Sequence, residues 1–182
     1  MKNQVNRKSS SFFLMLIILF VTRSMAQSNE LVVIDSNYFQ KQQVLDHLGS
    51  GIPVVEVDAS KNPWESIRQY LEQNRSAQVV HLFANASYNA MELGGKTYDA
   101  NGVDQEFELS MLEGLYQGTN LQLLIYDCNL GSSPEGLALL RKISDKAYFN
   151  IAVPTNCSSI FGADLEFDHT TMNQPVNNSI FK

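Results

Sequence analysis

Five short apolar runs punctuate the chain, and amphipathic segments separate them. Leu31 to Asp35 (LVVID) ends in a polar turn and predicts a buried strand. Gln40 to Leu48 carries Val44, Leu45 and Leu48 at helical spacing before Gly49 and Gly51 stop it. Pro53 to Asp58 predicts a second strand. Asn62 followed by Pro63 is a cap and a first helical residue, so a helix is predicted through Asn74, with Trp64, Ile67, Tyr70 and Leu71 buried. Gln78 to Ala84 is a third strand, and Met91 to Asp99 a hairpin folded at Gly94-Gly95. One helix is predicted from Asn101 or Gly102 to Gly118, burying Phe107, Met111, Leu112 and Leu115. Leu121 to Cys128 is the fourth and most apolar strand. Ser132 or Ser133 caps a helix that starts at Pro134 and buries Leu137, Leu140 and Ile143, and Phe149 to Val153 is the fifth strand. Short segments near Ile160 and at Leu165 to Phe167 precede a polar tail, 169–182, expected to be loose.

Strand and helix in alternation imply parallel strands joined by right-handed crossovers. The fold class is therefore α/β: an open, mostly parallel sheet with helices on both faces, plus the small hairpin near 91–99. In such sheets ligands meet the carboxyl ends of the strands. The loops after Asp35, Ala84, Cys128 and Val153 are then the ones to search.

The first residues change the picture of where this domain works. Lys2, Arg7 and Lys8 precede an apolar run of ten, Phe12 to Val21, and small Ser24 and Ala26 follow. That is the layout of a secretory signal peptide cut after Ala26, and the run is about half the length a bilayer span needs. Removing 26 of 182 residues leaves 156, enough for one domain at 27–168. The leader takes four basic residues and no acidic ones, moving the formal charge from −6 to −10. So acidic a chain is not expected to bind nucleic acid or anionic membrane. No later segment predicts a membrane span. The expected location is periplasmic, cell-surface or extracellular, where the two cysteines, Cys128 and Cys157, meet oxidising conditions.

Few motifs of chemistry survive inspection. Asp99 to Asp104 resembles a calcium loop, but its glycine is misplaced and Ser110 stands where a glutamate is needed, so a turn and helix cap explain it better. No cysteine and histidine cluster has metal spacing, the turn after the first strand lacks phosphate-binding glycines, and no serine-hydrolase elbow occurs. No metal or cofactor is expected. His81 lies mid-strand beside Val79 and Phe83 and reads as a core histidine, His47 sits on the first helix, and His169 is in the tail.

Five stretches, LVVIDSN, VVHLFANAS, LLIYDCNLG, IAVPTN and FGADLEFD, in this order and spacing, resemble the bacterial exported family called domain of unknown function 4347. The resemblance spans Leu31 to Asp168. It implies kinship with caspase and gingipain cysteine peptidases, and thus a caspase-like or flavodoxin-like three-layer core. Such peptidases end one strand in a histidine and glycine, and a later one in the nucleophilic cysteine; the histidine takes the thiol proton and the glycine N–H holds the oxyanion. Here Cys128 keeps the nucleophile position, with Tyr126 and Asn129 matching the family pattern around it. Asp127 replaces a glycine, Asn85 falls on the base and Ala86 on the glycine after it. An asparagine amide cannot act as a general base.

The reading that follows is a degenerate peptidase-like module binding a protein or peptide at the strand ends, lined by Ala86, Ser87, Tyr88, Tyr126 and Asn129. The alternatives are a cysteine peptidase or acyl transferase using Cys128 with an unconventional base, and a purely structural surface domain. Cys128 itself is open to three states: bonded to Cys157, free and buried, or free and reactive.

Overall fold

The structure is a computed structural model. It describes residues 28–116, 121–156, 165–171 and 180–181. The segment expected to be a signal peptide, the helix end at Gly118, Cys157 and the segment near Ile160 lie outside the described residues.

The strands are β1 (Glu30–Asp35), β2 (Val54–Val57), β3 (Val79–Phe83), β4 (Asn85–Ala86), β5 (Met91–Leu93), β6 (Lys96–Tyr98), β7 (Gln122–Ile125), β8 (Asn150–Val153) and β9 (His169–Thr170). The helices are α1 (Lys41–His47), α2 (Pro63–Gln73), α3 (Ala100–Gln105), α4 (Phe107–Tyr116), α5 (Cys128–Gly131) and α6 (Pro134–Ala147). The main sheet runs β2-β1-β3-β7-β8-β9, parallel except for β9, and β4-β5-β6 form a second, antiparallel sheet. In chain order the five parallel strands read 2-1-3-4-5, so the winding reverses between β1 and β3. The crevice expected of a doubly wound sheet falls at their carboxyl ends.

Strand periodicity sorts the core into two clusters. Leu31, Val33, Val80, Leu82, Leu123, Ile125, Ile151 and Val153 face α2, α4 and α6 through Ile67, Leu71, Leu112, Leu140 and Ile143. Val32, Ile34, Val79, Phe83, Leu124, Tyr126 and Ala152 face Val44 of α1 together with Leu165, Phe167 and Ile180. Helices thus cover both faces, as the alternation predicts.

Three local expectations are corrected. The single helix from Asn101 to Gly118 is two helices, because Glu106 is extended (ψ 102°) between α3 and α4. Its carboxylate turns inward. It accepts from Asn62 Nδ2 at 2.9 and 3.0 Å, from Tyr98 Oη at 3.2 Å and from the Glu108 N–H at 3.1 Å. Lys146 Nζ meanwhile binds the Val103 and Asp104 carbonyls at the end of α3, the first of which also accepts from the Glu106 N–H. The break resets the helical phase, so Leu109 and Leu112 are buried while Phe107 and Met111, predicted to be core, are 67% and 43% exposed. Second, α3 starts at Ala100, capped by Asp99, whose side chain accepts from the Gly102 N–H. Third, the tail is not loose throughout: His169–Thr170 pair with β8, Ile180 is buried, and Phe181 bridges Leu48 while the Gly49 N–H donates to the Ile180 carbonyl. Leu165 and Phe167 are buried in irregular backbone.

Other expectations hold at atomic level. Asn62 caps α2 by accepting from the Trp64 and Glu65 N–H groups, Ser133 caps α6, and Gly94 and Gly95 fold the β5–β6 hairpin with φ of 58° and 68°. Among the described residues no helix is long and apolar enough to cross a membrane.

Asn62 thus holds α2 and Glu106 with one side chain. Replacing it by alanine (N62A) removes a cap and strips a buried carboxylate of its amide donor. A loss of about 2–4 kcal/mol in unfolding free energy is expected from urea titration.

Candidate functional site

The carboxyl edge is built around Asp35, the last residue of β1. It is 3% exposed, and its carboxylate accepts from the Asn37 N–H at 2.7 Å and the Gly94 N–H at 2.6 Å. One acid therefore closes the turn after β1 and pins the hairpin over it. Pro63 and the Asp58 carbonyl pack where a side chain at Gly94 would stand.

Asn85 follows β3 across the winding reversal. Its Nδ2 donates to the Asn37 carbonyl at 3.1 Å, and its Oδ1 accepts from the Phe39 N–H at 3.4 Å. The side chain sequence analysis places at the base position thus ties together the two loops that flank the crevice.

A second clamp comes from the loop after β7. Asp127 caps α5 by accepting from the Asn129 N–H at 2.7 Å, and its carboxylate also accepts from the Leu130 and Ala86 N–H groups. Asn129 Nδ2 donates to the Ala86 carbonyl at 3.0 Å. Both polar groups of Ala86 are therefore held by side chains of the D-C-N stretch. Burial raises the Asp127 pKa, and the bonds to Asn129, Leu130 and Ala86 oppose that shift.

Cys128 is partly buried between these two residues. It does not end the strand as predicted but opens the single turn of α5, and it is disulfide-bonded. The chain's other cysteine, Cys157, lies outside the described residues. Gly131 and Gly136 fit this corner because a side-chain carbon at either would collide with the Pro154 or Leu130 carbonyl oxygen, respectively.

Tyr126 does not line the edge, which corrects the sequence reading. It is 2% exposed, stacks on Phe83 with centroids 4.2 Å apart, and meets Phe167 and Phe181 edge-on. Its hydroxyl lies 2.9 Å from Nδ1 of His81, which is fully buried as expected of a core histidine. Burial holds His81 neutral, its pKa lowered to about 3, and raises that of Tyr126. The period-2 pattern hid this pair, since Tyr126 lies one residue past β7 and still keeps the strand's alternation through a Tyr126 N–H bond to the Leu82 carbonyl.

Ser87 hydrogen-bonds within its own turn, to Asn89 and Ala90. Tyr88 is 62% exposed, and its carbonyl accepts from the Ser133 hydroxyl at the cap of α6. Phe39, on the opposite loop, is 74% exposed and was not anticipated; no periodicity marks it, because it sits in a turn. Two cavities adjoin here. One, about 170 Å³, is lined by Asp35, Asn37, Gly95 and Lys96; the other, about 210 Å³, by Asn85, Ala86, Ser87 and Ala90. Glu92 and Thr97 line both. Each cavity is below the size of a typical small-molecule pocket and matches a single side chain. Among the described residues no cluster of three metal-ligating side chains occurs.

A family model described as Domain of unknown function (DUF4347) matches residues 31–174. The chain belongs to this family. No curated protein matches it. Among solved structures, this DUF4347 chain is similar to the crystal structure of Clostridium botulinum phage c-st TubZ, with 10% identity and a TM-score of 0.37. That alignment covers 70% of this chain and 52% of the other, so the chain spans about half the length of the structure it matches.

Two measurements check the geometry. His81 stays neutral in the folded state down to about pH 3, while in the unfolded chain it takes a proton near pH 6.5. Between those limits the unfolded state binds the extra proton, so stability falls as pH drops, by about 1.4 kcal/mol per pH unit from this group. His81→Gln should remove that component, read as the difference between the two proteins' unfolding free energies from pH 7 to 4. Asn85→His gives up an amide placed to bind both loops. Exposed hydrogen bonds of this kind imply a loss of about 1–2 kcal/mol in urea titration.

Proposed function

We propose that this chain is an exported, non-catalytic domain that binds a protein or peptide partner at the carboxyl edge of its sheet. The observation that carries the reading is the disulfide at Cys128. A sulfur in a disulfide is not a nucleophile, and thiolate chemistry needs it free. The neighbouring groups support the same reading. In the caspase-like alignment of the loops, Asn85 stands for the base and is bound to Asn37 and Phe39; Ala86 stands for the oxyanion donor, and its N–H is bound to Asp127. His81, the buried histidine, meets Tyr126. Among the described residues, the groups standing at the nucleophile, base and oxyanion positions are thus engaged elsewhere, while His169 Nε2 on β9 keeps no hydrogen-bond partner.

Binding is supported by what remains exposed. Phe39 and Tyr88 present aromatic rings on the two loops that border the edge, and aromatic anchors dominate recognition surfaces. The cavities between them take side chains rather than a cofactor. Glu92 lines both and favours a basic side chain on the partner. Export is supported by the apolar run of residues 12–21 after a basic start, and a disulfide suits an oxidising compartment.

The test joins chemistry to binding. Digestion of the unreduced protein is expected to yield one linked peptide containing Cys128 and Cys157. No adduct with a peptidyl acyloxymethyl ketone is expected, with or without Asn85→His. Peptides selected by display against the purified chain should bind about tenfold more weakly to Phe39→Ser and Tyr88→Ser variants whose thermal stability is unchanged. A Cys128 adduct in the unreduced protein would return the domain to the enzymes, and affinities indifferent to both aromatic changes would remove the carboxyl edge as the binding surface.

A further inference from the structure

The main sheet has a second surface with recognition chemistry, at its side rather than its end. Strand β2 is the outer strand, and it pairs only with β1 among the described residues. The Val32 N–H donates to the Pro53 carbonyl, and the Ser36 N–H to the Val57 carbonyl. With Val32 opposite Val54 and Ile34 opposite Glu56, alternation turns the polar groups of Val55 and Val57 toward β1. The N–H and C=O groups of Val54 and Glu56 therefore point outward, and no described residue meets them.

Natural edges are usually blocked by proline, lysine, a bulge or a covering segment. β2 (VVEV) holds no proline, lysine or bulge, no described residue covers it, and Val54 is 41% exposed. A groove of about 460 Å³ runs beside it, between the strand and α2, with Val55 and Tyr70 on its walls. On the opposite face stands Glu56, half-exposed and paired with Lys41 at 2.8 Å. Asp58 follows just beyond the strand, fully at the surface.

We propose that the β2 edge is a strand-addition site for an extended peptide that alternates apolar and basic residues. Residues opposite Val55 turn their side chains into the groove against Tyr70. Residues opposite Val54 and Glu56 turn theirs to the other face, where a lysine or arginine meets Glu56. The backbone supplies the affinity and the two faces supply the selection. A second copy of this chain fits less well. Antiparallel pairing in phase sets Glu56 against its own counterpart or against the other copy's Asp58, or leaves it facing a valine, and like charges opposite each other are destabilising. Both copies also carry a net negative charge. Glu56 therefore guards the edge against self-pairing while accepting a cationic strand. This site is independent of the carboxyl edge and of the reading given for it.

The test uses an acetylated eight-residue peptide alternating valine and lysine, added to the full mature chain. Amide exchange is followed residue by residue. At saturation the Val54 and Glu56 amides are expected to slow by about tenfold, with Phe39 and Tyr88 amides unchanged. Glu56→Lys should weaken this peptide by about tenfold and favour the valine–glutamate counterpart. Methylating the peptide's edge-facing amide nitrogens should abolish binding without any change to the protein. The proposal is overturned if no peptide binds, if binding leaves Val54 and Glu56 exchange unchanged, or if N-methylation has no effect. It is equally overturned if those amides become protected by raising protein concentration alone, since the edge would then belong to a second copy.

Discussion

Burial of both faces of a parallel sheet constrains everything else in this molecule. Along β1, β3, β7 and β8 almost every side chain is enclosed, alternately beneath α2, α4 and α6 or beneath α1 and the last described residues. Such strands have no solvated side on which to place a polar group, so polarity is pushed to the strand ends. His81 is the exception inside the sheet, and it is kept neutral and bonded to Tyr126. The site exists where the strands stop because that is the first place the chain can again present polar atoms to water.

Three buried carboxylates organise the loops, two at strand ends and one between helices. Asp35 binds the N–H groups of Asn37 and Gly94, Asp127 those of Ala86, Asn129 and Leu130, and Glu106 gathers Asn62, Tyr98 and the start of α4. Backbone donors freed where a strand or helix ends need acceptors. A carboxylate meets two or three at once, and the charge-assisted bonds compensate for its burial. The chain's acidity is therefore partly architectural, beyond what a solubilising surface requires.

This division explains what sequence patterning reveals. The alternation of strand and helix, the caps at Asn62 and Ser133, the Gly94-Gly95 turn and the core character of His81 follow from local periodicity and turn chemistry, and all are present. What local patterning cannot supply are bonds between residues distant along the chain. Glu106 breaks a helix whose apolar spacing looks continuous, because its partners Asn62 and Tyr98 come from other elements. Tyr126 leaves the rim for the core because Phe167 and Phe181 arrive from the end of the chain. Asn85 draws notice because it falls on the base position and Asn129 because it matches the family pattern beside Cys128, while their observed work is holding loops. Phe39 escaped notice because turns carry no period.

The bridge between Leu48 and Phe181 also fixes how the domain is presented. Leu48 and Gly49 lie in the connection that leads into β2, at the amino ends of the parallel strands, and the Ile180 carbonyl is bound there by Gly49. Glu30 begins β1 at that same side. The first strand and the last described residues thus share one pole of the molecule, and the loops bearing Phe39 and Tyr88 occupy the other. A tether, fusion partner or solid support joined at either of these points stands behind the domain, leaving the opposite pole facing outward.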